Sequence, residues 1–292
     1  MKVIVFGGSG FVGENVADAL TDLGHQVTIF DVHKKAELKG NQRFIAGDIT
    51  SASDVSEAIR GHDYVYNFAG IADIDEAQRR PTETISVNIL GNAHILDAAL
   101  KHQIKKYIFA STIYVYSESG GFYRCSKQAC ELYVEEYHRS FKLPYNILRY
   151  GTLYGAGANK FNSVRKYLHQ ALTRGEIVCD GSGDELREYI NIKDAARISA
   201  KMIDAQYNNQ NFIVTGYQQF KLHDLFSMIK EILQKDIHIV FKPHDKTHHY
   251  KLTPYSYTPK AGFKFFDDQY LDMGQGLIEC LEEINSSVSI YT

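Results

Sequence analysis

The chain has 292 residues, of which 44% are hydrophobic and 23% are charged, values typical of a folded globular protein. It carries 32 lysine and arginine residues against 35 aspartate and glutamate residues, which gives a net charge of -3 at pH 7. A protein that binds nucleic acid normally has a clear surplus of positive charge, so this balance argues against a nucleic-acid partner.

The N-terminal apolar run, residues 2–6, is too short for the core of a signal peptide. No stretch reaches the roughly 18 consecutive apolar residues that indicate a membrane span. The cysteines lack the spacing of a zinc site or a disulfide framework. They are Cys125, Cys130, Cys179 and Cys280. The adjacent His248 and His249 have no third ligand nearby and are expected in an exposed loop. We therefore expect a cytoplasmic protein with no membrane partner and no bound metal.

Short apolar runs alternate with amphipathic stretches in the first half of the chain. The apolar runs predict strands buried on both faces, at residues 2–6, 26–30, 43–45, 64–68, 107–110 and 145–148. The amphipathic stretches predict helices at residues 13–23, 53–60, 83–102 and 126–141. This alternation is typical of the α/β class and predicts a Rossmann-type, doubly wound parallel sheet.

The second half of the chain is less regular. Residues 151–159 have the composition of a loop, and a strand is predicted at 189–192. Helices are predicted at residues 163–173, 195–205, 222–234 and 276–284. We predict a dinucleotide-binding domain over residues 1–152 and a smaller α/β substrate-binding region over 153–292. Segments near 189–216 are expected to pack back on the first domain.

A glycine-rich loop follows the first predicted strand. Its glycines fit a GxxGxxG frame at Gly7, Gly10 and Gly13, or a GxGxxG frame that starts at Gly8. Either frame provides a tight turn, a close approach of the backbone to a pyrophosphate, and close packing of the next helix. The N–H groups at the start of that helix, including those of Phe11 and Val12, favour phosphate binding.

Asp31 ends the second predicted strand, 18 residues after Gly13. A carboxylate at this position accepts hydrogen bonds from the adenosine ribose and repels a 2′-phosphate, which favours NAD over NADP. Lys34 and Lys35 follow closely and keep NADP as the less favoured alternative. Asp48, after the third strand, is predicted either to reach the adenine or to serve as a turn residue.

Tyr123 and Lys127 are four residues apart in a helical pattern and therefore share a helix face. A phenol has a pKa of about 10, and burial raises it further. A neighbouring ammonium group and an oxidised nicotinamide would lower it, so that Tyr123 could accept a proton from a sugar hydroxyl. Ser111 and Thr112 end the fifth strand, at the edge where open parallel sheets bind ligands.

Taken together, these motifs resemble the extended short-chain dehydrogenase/reductase family, specifically its nucleotide-sugar epimerase/dehydratase branch. The resemblance extends over most of the chain. It rests on residues 7–13, Asp31, and residues 67–70, 87–91, 109–112, 123–127, 148–155, 180–183, 187–190 and Asp194.

The resemblance implies roles for individual residues. Tyr123 is the general base or acid, Lys127 lowers its pKa and holds the nicotinamide ribose, and Thr112 binds the reacting hydroxyl. Ser111 supports the cofactor site, and Arg187 pairs with the substrate diphosphate or forms a surface salt bridge with Glu185 or Glu188. The further cofactor contacts that it implies are Ile49, Phe68, Ala69, Gly70, Asn88 and Tyr150, and the further substrate contact is Thr152.

The chain departs from the family pattern near the sugar site. Only residues 113–122 separate Thr112 from Tyr123, where the family usually has a dozen or more extra residues. Arg124 follows Tyr123 in place of a small residue, and Thr152 stands where many members have asparagine. These changes concern the sugar pocket more than the cofactor site.

The residues after Thr112 separate the possible reactions. Family members that dehydrate sugars have an Asp-Glu pair there, whereas this chain has Ile113 and Tyr114. Members that epimerise neighbouring carbons have a cysteine at the position of Ile113, and Cys125 is interpreted as a packing residue. We therefore expect an NAD-dependent epimerase that acts on a nucleotide-diphosphate sugar, by C4 oxidation and re-reduction. A ketoreductase that consumes NAD(P)H and a non-catalytic NAD(P)-binding regulatory protein remain the alternatives.

The helices predicted at residues 83–102 and 126–141 resemble the pair through which the family forms dimers. A homodimer is therefore expected. The alternative is that the apolar residues of the first helix only pack in the core. These residues are Ile85, Ile89, Ala93 and Leu96.

Overall fold

A computed structural model describes residues 1–34 and 37–242 together with Pro254. Four features singled out in the sequence lie outside the described residues. They are Lys35, the pair His248 and His249, Cys280, and the helix predicted at residues 276–284.

The main sheet has seven strands in the order β3-β2-β1-β4-β5-β6-β10, and all neighbouring strands are parallel. The strands are β1 (Lys2–Phe6), β2 (Gln26–Asp31), β3 (Arg43–Ala46), β4 (Tyr64–Asn67), β5 (Lys106–Thr112), β6 (Tyr145–Tyr150) and β10 (Gln210–Val214). The first six follow the order of a Rossmann fold, in which ligands bind outside the carboxyl ends of the strands. The predicted fold class is confirmed.

Helices cover both faces of the sheet because successive strand residues point to opposite sides. Val3 and Val5 pack in a core with residues from α1 (Phe11–Asp22) and α8 (Ile192–Ala200). Ile4 and Phe6 pack in the opposite core with three other helices. These are α2 (Ala52–Ile59), α5 (Gly91–Lys101) and α6 (Gly121–Phe141). Burial on both faces explains the nearly continuous apolar runs in β1 and β2.

The chain returns to this sheet after the residues predicted to begin the second domain. Helix α8 packs against α1, and β10 adds to the sheet beside β6. The buried ammonium of Lys106, at the start of β5, donates to the carbonyl oxygens of Met202 and Asp204, each at 2.7 Å. The division of the chain at residues 152 and 153 stays a prediction.

Smaller sheets and two helices form the rest of the described chain. A three-stranded sheet contains β7 (Thr152–Tyr154), β9 (Leu186–Asn191) and β11 (Gln219–Lys221), and a two-stranded sheet pairs β8 (Glu176–Asp180) with β12 (His238–Lys242). Helices α7 (Ser163–Arg174) and α9 (Leu222–Leu233) share a separate apolar core in which the rings of Tyr167 and Phe226 meet edge to face.

Several predicted elements differ from the structure. Strand β3 is not buried on both faces, since it is the edge strand and Ile45 is 37% exposed. Strand β7 lies inside the predicted loop at residues 151–159, where pairing with β9 extends the chain. The helix predicted at residues 195–205 begins at Ile192 and ends at Ala200, followed by short 3-10 turns.

The helix predicted at residues 83–102 is interrupted. Helix α3 (Ile74–Arg79) and the short helix α4 (Pro81–Thr84) come first. A π-helical segment, Ile85–Leu90, follows α4 and leads into α5. Such wide turns are rare and occur often at functional sites. No helix in residues 1–34 or 37–242 combines the length and apolar character needed to cross a membrane.

Candidate active site

The glycine loop between β1 and α1 is shaped by close backbone contacts. Gly7 has φ +70°, and a Cβ atom there would lie 2.5 Å from the Ala69 nitrogen. A Cβ atom on Gly13 would lie 2.2 Å from the Gly7 oxygen. Side chains at these two positions would therefore force the loop away from both β4 and α1. The loop brings the start of α1 next to the segment that follows β4.

Helix α1 begins at Phe11 without a side-chain cap, because its N-cap residue is Gly10. The first N–H groups of a helix have no partners within the helix and carry a partial positive charge. Phe11, Val12 and Gly13 are the first three helical residues, as the predicted phosphate site requires. The space above the glycine loop, where no side chains project, and the free N–H groups at the start of α1 together fit a dinucleotide pyrophosphate.

Asp31 lies at the end of β2, beside the glycine loop. One carboxylate oxygen accepts the Ser9 N–H at 3.0 Å, and the other accepts the His33 N–H at 3.1 Å. An ionised carboxylate has about four acceptor positions, so both oxygens retain capacity for ribose hydroxyls. The geometry fits the role predicted for Asp31.

The structure gives Asp48 and Ile49 structural contacts. Asp48 accepts the Thr50 N–H at 2.8 Å, which makes it a turn residue, whereas Ser51 caps α2. Ile49 is only 6% exposed, and its side chain packs closely on Gly91. A Cβ atom on Gly91 would lie 2.7 Å from the Ile49 Cδ1 atom. The hydrogen bond from Thr50 thus supports the turn interpretation of Asp48, and its contact with adenine stays a prediction.

Asn88 connects the segment after β4 to helix α6. Its amide oxygen accepts the Ile71 N–H at 2.7 Å. Its amide nitrogen donates to the Ile71 oxygen at 3.0 Å and to the Ser126 hydroxyl at 2.9 Å. The Ser126 hydroxyl in turn donates to the Tyr123 carbonyl at 2.8 Å. The side chain of Asn88 therefore links the segment after β4 to α6, and its predicted contact with the cofactor stays a prediction.

The other predicted cofactor residues, Tyr150 and residues 68–70, have different surroundings. The buried hydroxyl of Tyr150 lies 2.6 Å from the Ser199 hydroxyl, inside the core between the sheet and α8. Its ring lies 6.3 Å from that of Phe68, which is half-buried with Ala69, whereas Gly70 is exposed. Phe68 and Ala69 border the glycine loop, because a Cβ atom on Gly7 would meet their backbone atoms. The side chain of Tyr150 packs in the core, and the cofactor contacts of Phe68, Ala69, Gly70 and Tyr150 stay predictions.

Thr112 and Tyr123 meet at the carboxyl edge of the sheet. Thr112 ends β5, and Tyr123 is the third residue of α6. Burial raises the pKa of Tyr123 to about 12, and the hydrogen bond from the Thr112 side chain opposes that rise. The phenol is therefore protonated at neutral pH in the cofactor-free protein. An added positive charge would lower its pKa and allow it to accept a proton.

Lys127 is buried one helical turn beyond Tyr123. Its ammonium donates to the Ala110 carbonyl at 2.8 Å and lies 4.7 Å from the centre of the Phe109 ring. Burial lowers the pKa of Lys127, partly offset by Cys130 and Glu131. In this structure the contact that lowers the Tyr123 pKa comes from Thr112, and the ammonium is held at the end of β5.

Ser111 is 3% exposed, and its hydroxyl has no hydrogen-bond partner among the described residues. A buried polar group without a partner costs about 1–3 kcal/mol. A ligand that hydrogen-bonds this hydroxyl would remove the cost. Ser111 therefore fits its predicted place in a cofactor site.

The predicted substrate residues lie on adjacent strands of the three-stranded sheet. Thr152 is in β7, and Arg187 is in β9, where its guanidinium donates to the Leu186 carbonyl at 2.9 Å. The carboxylate of Glu188 is buried and accepts a hydrogen bond from Gln219 at 3.1 Å. Contacts of Thr152 and Arg187 with a substrate stay predictions.

The interpretation of Cys125 as a packing residue is wrong, because Cys125 is exposed. Cys130 is the buried cysteine of α6, and its thiol donates to the Asn88 carbonyl at 3.1 Å. Among the described residues, no three histidine, cysteine, aspartate or glutamate side chains are placed to hold a metal ion.

Sequence reasoning missed the supporting role of Ser126 and the buried ion pair between Glu131 and Arg149. The guanidinium of Arg149 contacts both carboxylate oxygens of Glu131, at 3.0 and 2.6 Å. A glutamate one turn after Lys127 and an arginine in an otherwise apolar strand are the signals that could have revealed this pair.

Comparison with known proteins gives a family and a fold. The model of the NAD dependent epimerase/dehydratase family matches residues 3–215. A UDP-N-acetyl-alpha-D-glucosaminuronate decarboxylase from Bacillus cytotoxicus is 26% identical over 273 residues, which cover 85% of each chain. The described fold is similar to the UDP-glucose 4-epimerase of Thermotoga maritima, with a TM-score of 0.80 and 26% identity over 88% of this chain and 90% of that one.

A second solved structure is the UDP-N-acetylglucosamine 4-epimerase of Methanobrevibacter ruminantium. It has a TM-score of 0.78 and 27% identity, over 88% of this chain and 89% of that one. The two solved structures share the fold with this chain over 88% of its length, while the substrates in their names differ from one another.

Proposed function

Because the chain belongs to the NAD dependent epimerase/dehydratase family, we propose that it is an epimerase that inverts C4 of a nucleotide-diphosphate sugar. The observation that carries the proposal is the hydrogen bond between Thr112 and the half-buried Tyr123 at the carboxyl edge of the sheet. Membership of this family confirms three predictions: the family itself, the dependence on NAD and the class of nucleotide-sugar enzymes.

The described residues fit NAD. The glycine cradle and the start of α1 suit the pyrophosphate, Asp31 suits the adenosine ribose, and Ser111 and Lys127 suit the nicotinamide end. When bound, NAD supplies the acceptor and later the donor of a hydride. The protein binds it, excludes water and moves the proton.

The proton steps follow from the geometry of Thr112 and Tyr123. Thr112 can orient a sugar hydroxyl toward the phenol, and an ionised Tyr123 accepts the hydroxyl proton as the carbon is oxidised. The same phenol returns the proton when the keto sugar is reduced from the other face. Lys127 is held by the Ala110 carbonyl and is the residue to which the family resemblance assigns the lowering of the phenol pKa, whereas in the cofactor-free protein the contact that lowers this pKa comes from Thr112.

The residues after Thr112 favour this reaction over dehydration. Ile113 is an apolar side chain with 1% exposure, and Tyr114 follows it at the start of a 3-10 turn. Neither is a carboxyl group that could remove and donate protons at C5 and C6 in the manner of an Asp-Glu pair. Oxidation and reduction at one carbon need only Tyr123, Thr112 and the bound cofactor.

The proposal is tested by denaturing the purified protein and identifying the released nucleotide, then assaying UDP-, dTDP-, GDP- and CDP-sugars. We expect released NAD and interconversion of two C4 epimers without net consumption of NAD. Consumption of NADPH or NADH would instead indicate a ketoreductase. Loss of carbon dioxide from a uronic sugar, or a 4-keto-6-deoxy product, would also overturn the proposal.

We also propose a homodimer in the cytoplasm. Apolar side chains are exposed on both the π-helical segment and α6: Ile85 is 54% exposed, Leu132 68% and Tyr133 50%. These are the two helical regions expected to form the dimer. Light scattering should give a mass near twice 33.1 kDa for the wild type, and Leu132→Glu should reduce it to that of one chain.

A further inference from the structure

Residues 113–120 form a short segment that joins Thr112 to helix α6, and we call it the strap. It consists of a 3-10 turn, Ile113–Tyr116, and a tight turn that reaches Gly120. Since Thr112 precedes the strap and Tyr123 follows it closely, the shape of the strap determines how these two side chains meet.

Two glycines turn the strap directly into α6. Gly120 has φ +99° and Gly121 has φ +50°, conformations that other residues rarely adopt. A Cβ atom on Gly120 would lie 2.8 Å from the Tyr114 ring and 2.9 Å from the Arg124 Cβ. This junction places Tyr123 in the first turn of the helix without the longer connection expected from the family.

Two side chains of α6 hold the strap against the helix. Arg124 donates to the Ser117 carbonyl at 2.8 Å, and Gln128 donates to the Val115 carbonyl at 2.8 Å. They are four residues apart and therefore lie on one face of α6. Within the strap, the Ser117 N–H donates to the Tyr114 carbonyl at 2.9 Å. The middle of the strap is thus tied to the helix that carries Tyr123.

A third side chain holds the strap from the sheet. Arg149 donates to the Tyr116 hydroxyl and stacks over its ring, 4.8 Å from the ring centre. The same guanidinium forms the ion pair with Glu131, and the two side chains are 13% and 9% exposed. Tyr116 is therefore anchored to β6. In the turn nearest Tyr123, the Ser119 N–H donates to the Ser117 hydroxyl at 2.9 Å, and Arg124 is the α6 side chain that ties this turn to the helix.

From this arrangement we infer that Arg124 is a positioning residue that sets the approach of Tyr123 to Thr112. The inference rests on the proposed function for its catalytic consequence. The guanidinium acts from the residue next to Tyr123 and secures the turn that replaces a longer connection. Since a displacement of about 1 Å in a reacting group can reduce a rate on the order of 100-fold, a loosened strap should slow catalysis more than binding.

The kinetic test compares Arg124→Ala with Arg124→Lys and with Arg139→Ala. Arg139 is a matched control because it lies on the same helix and its side chain is 79% exposed. We expect Arg124→Ala to lower kcat at least about tenfold while KM for the sugar nucleotide changes less than about twofold. Arg124→Lys should recover part of kcat, since an ammonium can still donate to the Ser117 carbonyl. Arg139→Ala should match the wild type.

A second measurement does not depend on turnover. Hydrogen exchange with mass spectrometry should show faster exchange in residues 113–122 of Arg124→Ala, with NAD content and melting temperature close to those of the wild type. If the wild type converts no sugar nucleotide, the proposed function fails while this measurement still tests the strap. Unchanged exchange, an unchanged kcat, or a general loss of stability and NAD would overturn the inference.

Discussion

The cofactor side and the catalytic side of this site are built in different ways. Around the glycine loop, backbone atoms make the decisive contacts, because Gly7 and Gly13 leave no room for side chains. Between β5 and α6, side chains make them, through Thr112, Arg124 and Lys127. A backbone cradle depends on a few glycines at fixed spacing, whereas a side-chain site depends on partners that only the fold brings together.

Both sides hold a buried hydroxyl without a partner among the described residues, that of Ser9 in the glycine loop and that of Ser111 near the end of β5. Beside the loop, the Asp31 carboxylate already accepts two N–H groups. Between β5 and α6, burial keeps the Tyr123 phenol protonated, and an added positive charge would lower its pKa. Each side therefore offers a hydroxyl to a bound cofactor, while the group that moves the proton lies on the catalytic side.

The largest effect is expected on the catalytic side. Tyr123→Phe removes the hydroxyl that exchanges the proton, so kcat should fall by about 10²–10⁴ while the NAD content is retained. Turnover of the accepted sugar nucleotide and the nucleotide released on denaturation measure the two effects. Tyr217→Phe is the control, since Tyr217 is 95% exposed. Unchanged turnover in Tyr123→Phe would disprove the role of Tyr123.

On the cofactor side, Gly13→Ala and Gly10→Ala should separate stability from binding. The added methyl at Gly13 would lie 2.2 Å from the Gly7 oxygen, whereas that at Gly10 would lie 3.3 Å away. Gly13→Ala should therefore reduce the free energy of unfolding by about 1–3 kcal/mol. Gly10→Ala should leave stability nearly unchanged and weaken NAD binding. Denaturant unfolding and titration calorimetry test this, and equal stability losses would contradict it.

A smaller effect is expected from the charge of Asp31. Asp31→Asn keeps the shape of the side chain but removes the charge that repels a 2′-phosphate. The ratio of NAD to NADP affinity should fall about tenfold, which corresponds to about 1.4 kcal/mol. Asp31→Ala should show a similar fall. If only the alanine variant accepts NADP, then steric exclusion, and not charge, determines the preference.

The smallest effect concerns pH. The Thr112 hydrogen bond lowers the pKa of Tyr123, whereas burial raises it to about 12, so removal of the hydroxyl in Thr112→Ala should raise the pKa further. Because the phenolate is the reactive base, the rise of kcat/KM with pH should move to higher pH. Thr112→Ser retains the hydroxyl and should keep the wild-type profile. A shift to lower pH would mean that Thr112 stabilises the neutral phenol.

The sequence was sufficient where contacts are local. The glycine loop, Asp31 and the spacing of Tyr123 and Lys127 lie within single strand–turn–helix units, and the parallel sheet follows from the alternation of elements. Partners distant in sequence could not be read in this way. Tyr150 meets Ser199 across 49 residues, and Asn88 meets Ser126 across 38.

Helix α6 shows why the exposure of Cys125 was misjudged. The buried face of α6 contains polar and charged residues, among them Ser126, Lys127 and Glu131. Hydrophobic periodicity assumes an apolar buried face and therefore assigns the wrong orientation when that face serves a polar site. For strand β3 the opposite error occurs: its apolar residues predict burial, but Ile45 is exposed because β3 is the edge strand of the sheet.

The path of the chain limits how this protein can be recombined with a relative. Helix α8 and strand β10 complete the main sheet after the chain has already passed through β7, α7, β8 and β9. A chimera joined once, after residue 152, would therefore exchange an edge strand and the carbonyl acceptors of Lys106 along with the pocket. Transfer of the second region alone needs three junctions, after β6, before α8 and after β10, because β11 and β12 pair with β9 and β8 and α9 shares a core with α7. The region that would be exchanged is therefore an insert together with a tail.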